Sequence, residues 1–320
     1  MVHLRDGSWL AAYTIGRSPN NAVRVKRSFD DMRTWTWISE VGEGGRDLDN
    51  ANLYQRPDGV VLLAMRSVVL GKSYRINVYQ SVDAGNSWQF LSMVDRNEDE
   101  KPGGLWEPFL LGLPDGRLAC FYANETHATD QPPYSQIISE RISDDGGLSW
   151  GGEIFAVAQP GTPRPGEPNV VRTNGGFLLF YEVCGSELCA GHTSWSPDGV
   201  SWPGNIGPAI PSTWQNPQGL ALDTGMVLAI SNQKELLIGS SQGDVWIQTG
   251  SHPFAYGNWP ALYQIAPNQF ATVITGGGEN GEAGEYVRFG QIERATPAPR
   301  SRIRLPFRNP VTLSNARPGR

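Results

Sequence analysis

Apolar positions along this chain come in short alternating runs, and no long stretch carries the three-and-four spacing of an amphipathic helix. Residues 60–65 are an apolar run that follows the turn Arg56-Pro-Asp-Gly59, and residues 74–80 alternate apolar with polar. Residues 109–113 and 117–122 flank Pro114-Asp-Gly116, and residues 169–172 and 177–181 flank Thr173-Asn-Gly-Gly176. Each pair reads as a hairpin, because Asp-Gly and Asn-Gly supply the backbone conformations that tight turns need. The two hairpins look like the same place in successive units. Further strands are predicted over 226–230, 236–240, 245–249 and 286–292.

An internal repeat organises these strands. Ser81–Trp88 and Ser143–Trp150 share the pattern Ser-x-Asp-x-Gly-x-Ser-Trp; Ser28–Trp35 has Met32 in the Gly place, and Ser196–Trp202 is one residue shorter. The starts lie 53, 62 and 53 residues apart, so 320 residues hold about six units. The Asp and Ser side chains bond nearby backbone N–H groups, the Gly accepts a positive φ, and the Trp packs beneath the turn. These aspartates are read as turn formers rather than catalysts. Beyond residue 210 the pattern fades. The expectation is an all-β chain, a six-bladed β-propeller spanning residues 1–295, with a basic, Pro-rich tail over 296–320 that closes the ring or stays loosely ordered.

Composition agrees, with 38 Gly, 24 Pro and 11 Trp. The net charge of −6 argues against nucleic acid as a partner. No run of 18 apolar residues suggests a membrane span, and Met1 runs directly into a strand-and-turn pattern over residues 3–13 rather than a secretory signal. Cys120 sits in an apolar run and reads as a core thiol. Cys184 and Cys189 flank a four-residue loop and are read either as a small-loop disulfide or as two thiols; no further Cys or clustered His suggests a metal.

Three acidic positions stand out as candidate chemistry: Glu107 in Leu105-Trp-Glu-Pro108, Glu182 in Phe180-Tyr-Glu-Val183, and the pair Asp47 and Asp49. Cleaving a glycosidic bond takes two carboxyl groups, one protonating the leaving oxygen and one attacking or activating water. They stand about 5–5.5 Å apart in retaining enzymes and about 6.5–9.5 Å apart in inverting ones. Glu107 and Glu182 are read as that pair, in equivalent positions of neighbouring blades. Glu125, Glu140 and Glu167 are weaker candidates. Arg66, Arg75 and Arg164 are read as substrate-binding or paired with carboxylates, His127 as a surface residue, and Trp106, Trp214 and Trp259 as sugar-stacking platforms.

The box turns resemble those of the sialidase-like superfamily. More narrowly, Asp47-Leu-Asp-Asn-Ala51, Tyr74-Arg-Ile76, Gly104-Leu-Trp-Glu-Pro-Phe109, Tyr134-Ser-Gln136, Arg164-Pro-Gly166 and Tyr181-Glu182 resemble glycoside hydrolase family 93. That resemblance implies an exo-acting, retaining hydrolase that releases arabinobiose from linear α-1,5-L-arabinan on a six-bladed propeller, without a cofactor or metal. It implies Glu107 as acid/base and Glu182 as nucleophile, with Asp49, Asn50, Arg66, Trp106, Arg164 and Tyr181 on the substrate. It implies an oligo- or polysaccharide partner and no membrane. A monomer is expected, and the substrate class favours secretion. The departures are Glu167, where an apolar residue is expected, and a start placed after the family's first strand. The alternatives are another sialidase-like glycosidase or a non-catalytic carbohydrate-binding propeller. Against a sialidase, no Arg-Ile-Pro motif is seen, and residues 16–23 and 67–74 lack acidic groups.

Overall fold

The computed structural model describes residues 1–16, 18–98, 102–276, 284–292 and 311–312. The described residues form 23 strands and no helix, gathered into six antiparallel sheets, the number the repeat spacing predicts. The chain divides into two compact units: of the described residues, one holds 1–168 and 200–205, and the other holds 169–199 and 206–312.

The first unit carries three sheets. They are β1 (Val2–His3), β2 (Trp9–Ile15), β3 (Ala22–Ser28) and β4 (Thr36–Val41); β5 (Asp47–Gln55), β6 (Val61–Val69), β7 (Ser73–Ser81) and β8 (Gln89–Asn97); and β9 (Leu105–Gly112), β10 (Leu118–Asn124), β11 (Ile137–Ser143) and β12 (Ile154–Val157). Side chains alternate between the faces of a strand, and β6 uses both. Val61, Leu63 and Met65 pack with Leu10, Val23 and Val25 of the first sheet. Leu62 and Ala64 pack with Leu110, Cys120 and Tyr122 of the third. Burial on both faces explains why this segment reads as a continuous apolar run; truncating Leu62 to Ala would cost about 2–5 kcal/mol.

The second unit holds β13 (Arg164–Thr173, of which residues 164–168 belong to the first unit), β14 (Gly176–Cys184) and β15 (Ala190–Ser196). Next come β16 (Gln218–Ala221), β17 (Val227–Ile230), β18 (Leu237–Gly239) and β19 (Trp246–Gln248), then β20 (Asn258–Ala266), β21 (Gln269–Thr275), β22 (Glu285–Gln291) and β23 (Val311–Thr312). The two hairpins read as equivalent, β9–β10 and β13–β14, open their sheets in the same way. Val311 pairs with Val287, so the tail supplies the last strand of the sixth sheet; the rest of 296–320 lies outside the described residues.

Each box turn follows the third strand of its sheet. In the second, Ser81 Oγ accepts the Gly85 N–H at 2.8 Å and Asp83 Oδ1 accepts the Ser87 N–H at 2.9 Å. Gly85 has φ +87°, and in the first box Met32 takes φ +65° in the same place. The Trp88 and Trp150 indoles donate to Ser39 and Ser92 Oγ at 3.0 Å, so each box docks on the last strand of the preceding sheet. A fifth box-like turn, missed in the sequence, lies between β18 and β19. There Ser240 Oγ donates to Asp244, and the Trp246 indole donates to Gly243 O at 3.0 Å. Its Asp follows the Gly instead of preceding it, which hid the pattern.

Candidate active site

Glu107 stands on a β-bulge. In the β9–β10 ladder Trp106 pairs with Ala123 and Phe109 with Phe121, so one extra residue is inserted, and Glu107 takes φ +58°. The same event recurs at Asn50 in β5 (φ +53°) and at Trp259 in β20 (φ +57°). Glu167 in β13 and Asn216 before β16 are left-handed as well, at +53° and +45°. Glu107, Glu167, Asn216 and Trp259 each precede a proline. A non-glycine residue held there costs about 1–3 kcal/mol, and such strain gathers at functional sites. The bulge re-aims the side chain. This recurrence also corrects the sequence reading: the counterpart of Glu107 in the next sheet is Glu167, whereas Glu182 lies on a second strand, β14.

Around Glu107 the first unit builds a polar frame. Glu107 Oε2 accepts the Glu167 N–H at 2.7 Å. A Cβ on Gly166 would stand 3.1 Å from that oxygen and 2.8 Å from Gln136 Nε2, so glycine leaves the room the carboxylate uses. Gln136 Nε2 donates to Pro165 O at 2.8 Å, and Arg164 donates to Gln136 Oε1 at 2.8 Å and to Glu125 Oε1. Burial opposes ionisation of Glu125, but Arg164, the Gly104 N–H and the Trp106 indole outweigh it and hold this carboxyl below its ordinary range. The Trp106 ring packs against Gly104 and edge-on to Tyr74 at 5.3 Å, with the Arg66 guanidinium 5.0 Å from its centroid. Arg66 in turn bonds Asp49 Oδ2 at 2.9 Å, and Asp49 Oδ1 accepts the Asn50 N–H at 2.9 Å. Asp49, Asn50, Arg66, Trp106, Glu107 and Arg164 therefore belong to one connected group.

Asp47 stands at the edge of this group, 3.9 Å from Arg66, and also accepts from Ser18 Oγ and the Asn21 N–H, which makes it a loop tie. Other candidates fall elsewhere. Arg75 pairs with Glu98. Glu140 is fully buried and accepts the Trp202 indole at 2.9 Å, an anchor rather than a site residue. His127, read as a surface residue, is instead wedged between Asp130 at 2.8 Å and Glu153 at 3.2 Å.

In the second unit, Glu182 pairs across the ladder with Gly191. A Cβ on Gly191 would stand 2.5 Å from Thr213 Oγ1 and 3.1 Å from Pro217, so glycine lets the segment 213–217 lie close. That segment delivers the Asn216 N–H to Glu182 Oε2 at 2.8 Å. The other oxygen, Oε1, stands 3.2 Å from Cys184 Sγ. Cys184 is bridged to Cys189, which settles the two sequence alternatives; its sulfur carries no proton to donate, so this contact is not a hydrogen bond, and the pair is not a thiolate metal site. Among the described residues no cation pairs with Glu182. Burial raises its pKa, offset in part by the Asn216 N–H. Tyr181, expected on the substrate, is fully buried on the opposite face of β14, where its OH accepts the Gly207 N–H at 2.7 Å. Alternation along the strand makes it a core residue. Asn216 was not singled out in the sequence; it shares with Glu107, Glu167 and Trp259 the place before a proline, which was the available signal. Gly166 stood there only as part of the Arg164-Pro-Gly166 motif.

No family model matches the sequence, and no curated protein resembles it closely enough in sequence to align. Solved structures do match in fold. The GH93 α-L-arabinofuranosidase of Fusarium graminearum, solved with arabinobiose, superposes with a TM-score of 0.76 at 20% identity over 91% of each chain. The α-L-arabinanase of Penicillium chrysogenum, also solved with arabinobiose, gives 0.75 at 25% identity over 91% of each chain. The NanB sialidase of Streptococcus pneumoniae gives 0.60 at 11% identity over 85% of this chain and 64% of that one. The fold is thus the expected six-bladed β-propeller, and the resemblance to the family 93 and sialidase-like propellers holds at the level of structure.

Proposed function

We propose that this chain is a retaining, exo-acting glycoside hydrolase that releases arabinobiose or a similar short sugar from linear α-1,5-L-arabinan, with Glu107 and Glu182 as its two carboxyl groups. The observation that carries the division of labour is the burial of Glu182 without a cation partner, which raises its pKa. A carboxyl group whose proton is held more tightly by burial suits the acid. This favours the reverse of the assignment the resemblance implies: Glu182 is the acid/base and Glu107 the nucleophile. In the first step Glu182 protonates the glycosidic oxygen while a Glu107 oxygen attacks the anomeric carbon, and the C–O bond breaks. In the second, Glu182 takes a proton from water as that water attacks the same carbon and releases Glu107. The Glu167 N–H, 2.7 Å from Oε2, fixes the orientation of the Glu107 carboxylate. No step calls for a cofactor.

A neutral sugar fits the arginines. Gripping a sialic-acid carboxylate needs guanidinium groups to spare, whereas Arg66, Arg75 and Arg164 are paired with Asp49, Glu98 and Glu125. The Cys184–Cys189 disulfide supports an oxidising location, in keeping with a secreted, monomeric enzyme. The test is hydrolysis of debranched arabinan followed by NMR, with azide added to the alanine variants. The expected product is the retained anomer; azide rescues Glu182→Ala with retained configuration and Glu107→Ala with inverted configuration. The opposite rescue pattern would reverse the roles, and an inert wild type would end the hydrolase reading.

A further inference from the structure

Two indoles in the second unit stand in solvent without a part in any box turn. Trp214 is 42% exposed and Trp259 is 53% exposed. Trp259 occupies in β20 the bulge place that Glu107 occupies in β9, left-handed and before a proline. Holding a bulky residue there strains the backbone, and a ring left half in solvent returns little core packing. Both residues hang from one hydrogen-bonded frame. The Trp259 N–H donates to Asn232 Oδ1 at 2.8 Å, and the Trp214 N–H donates to Ser231 Oγ at 3.1 Å. Asn232 N–H donates to Gln215 O at 3.1 Å, and Asn216 Nδ2 reaches Pro260 O at 3.3 Å. Asn216 is the residue whose N–H holds Glu182.

We infer that Trp259 and Trp214 form a stacking platform for the arabinofuranosyl residues that flank the bond presented to Glu182, an inference that rests on the hydrolase reading. Sugar rings expose apolar C–H faces, and an indole offers a flat apolar surface that loses little conformational freedom on binding. The size is right for one or two rings. Two indoles cover at most about 500 Å², well short of the roughly 800 Å² that one side of a stable protein interface needs. The platform makes the enzyme prefer chains long enough to reach it.

The test uses Glu182→Gln as the parent, so that ligand is not consumed, and measures arabinohexaose binding by calorimetry. Trp259→Ala and Trp214→Ala should each weaken binding by about tenfold or more, one decade of Kd per lost stacking contact, while Trp259→Phe should stay within about threefold because the aromatic face remains. Melting temperatures serve as the second readout: Trp259→Gly, which relaxes the left-handed strain, should melt no lower than its parent, whereas a structural role would lower it. If the parent binds and the alanine variants bind equally well, the platform is overturned and the hydrolase reading is untouched. If binding depends on the tryptophans but the wild type cleaves no arabinan, the platform stands and the hydrolase reading falls. If the parent does not bind arabinohexaose, both fall.

Discussion

The Asn216 N–H points at Glu182 Oε2 from 2.8 Å and tempers the burial of this carboxyl. Burial dominates and lifts the Glu182 pKa above its usual 4.5. A group raised in the folded state binds more protons there than in the unfolded chain. Its contribution to stability therefore falls as pH rises from about 4.5 through the folded value, then stays low. Glu182→Gln removes that penalty and still accepts the Asn216 N–H. The variant should melt higher than wild type at pH 7, with the gap closing below about pH 4.5, while its activity drops by three orders of magnitude or so. Melting curves at several pH values check the sign.

Gly166 sets the room around Glu107. Its φ lies outside the left-handed region, so alanine tests space alone, yet the new Cβ would stand 3.1 Å from Glu107 Oε2 and 2.8 Å from a Gln136 amide already bonded to Pro165. Gly166→Ala should lower kcat about tenfold to a hundredfold, the penalty of a nucleophile misplaced by a fraction of an ångström. KM and the melting temperature should change little. A fall in stability with kcat intact would assign Gly166 to packing.

The disulfide touches Glu182 through Cys184 Sγ at 3.2 Å, and Cys189 O accepts the N–H of Gln215, the neighbour of Asn216, at 2.9 Å. Reduction would give Cys184 a proton to donate to Oε1, which favours the ionised carboxylate, and would loosen the loop behind Asn216. With Glu182 as the acid, the alkaline limb of the pH–rate profile should move to lower pH after treatment with dithiothreitol, and the Cys184→Ser, Cys189→Ser double variant should do the same. An unchanged profile would show that the bridge has no hold on the acid.

The box aspartates should behave in the opposite way to Glu182. Asp145 accepts from Ser143 and Ser149, which hold its pKa at about 2. Its depressed value stabilises the fold above its usual 3.8, and that stability is lost as pH falls through about 2. Because the side chain is exposed, solvent discounts the effect, and Asp145→Ala should cost about 1 kcal/mol. Activity per folded molecule should stay at the wild-type level.

Much of this was legible in the sequence. The box turns announce themselves because each residue in them has a local job, and the β9–β10 and β13–β14 hairpins do so because Asp-Gly and Asn-Gly punctuate apolar runs. Glu107 and Glu182 stood out as acidic groups beside those hairpins. Their inequivalence was legible as well, since Glu107 precedes the first apolar run of its hairpin and Glu182 follows the second. The bulge was not: a residue before proline ordinarily reads as extended chain, so the left-handed turn at Glu107 runs against the local pattern. The Asn216 N–H and the Glu167 N–H are backbone groups from distant segments, invisible to any reading of side-chain chemistry. Tyr181 was misread because its neighbour Glu182 drew it into the site, although strand alternation places it on the other face.

The most direct measurement is product release from debranched linear arabinan by wild type beside Glu107→Gln and Glu182→Gln, with all three shown to be folded. The account predicts arabinobiose from the wild type and a loss of about three orders of magnitude or more in each variant, as expected when a nucleophile or its acid is removed. A wild type that leaves arabinan intact, or either glutamine variant working at the wild-type rate, would contradict it.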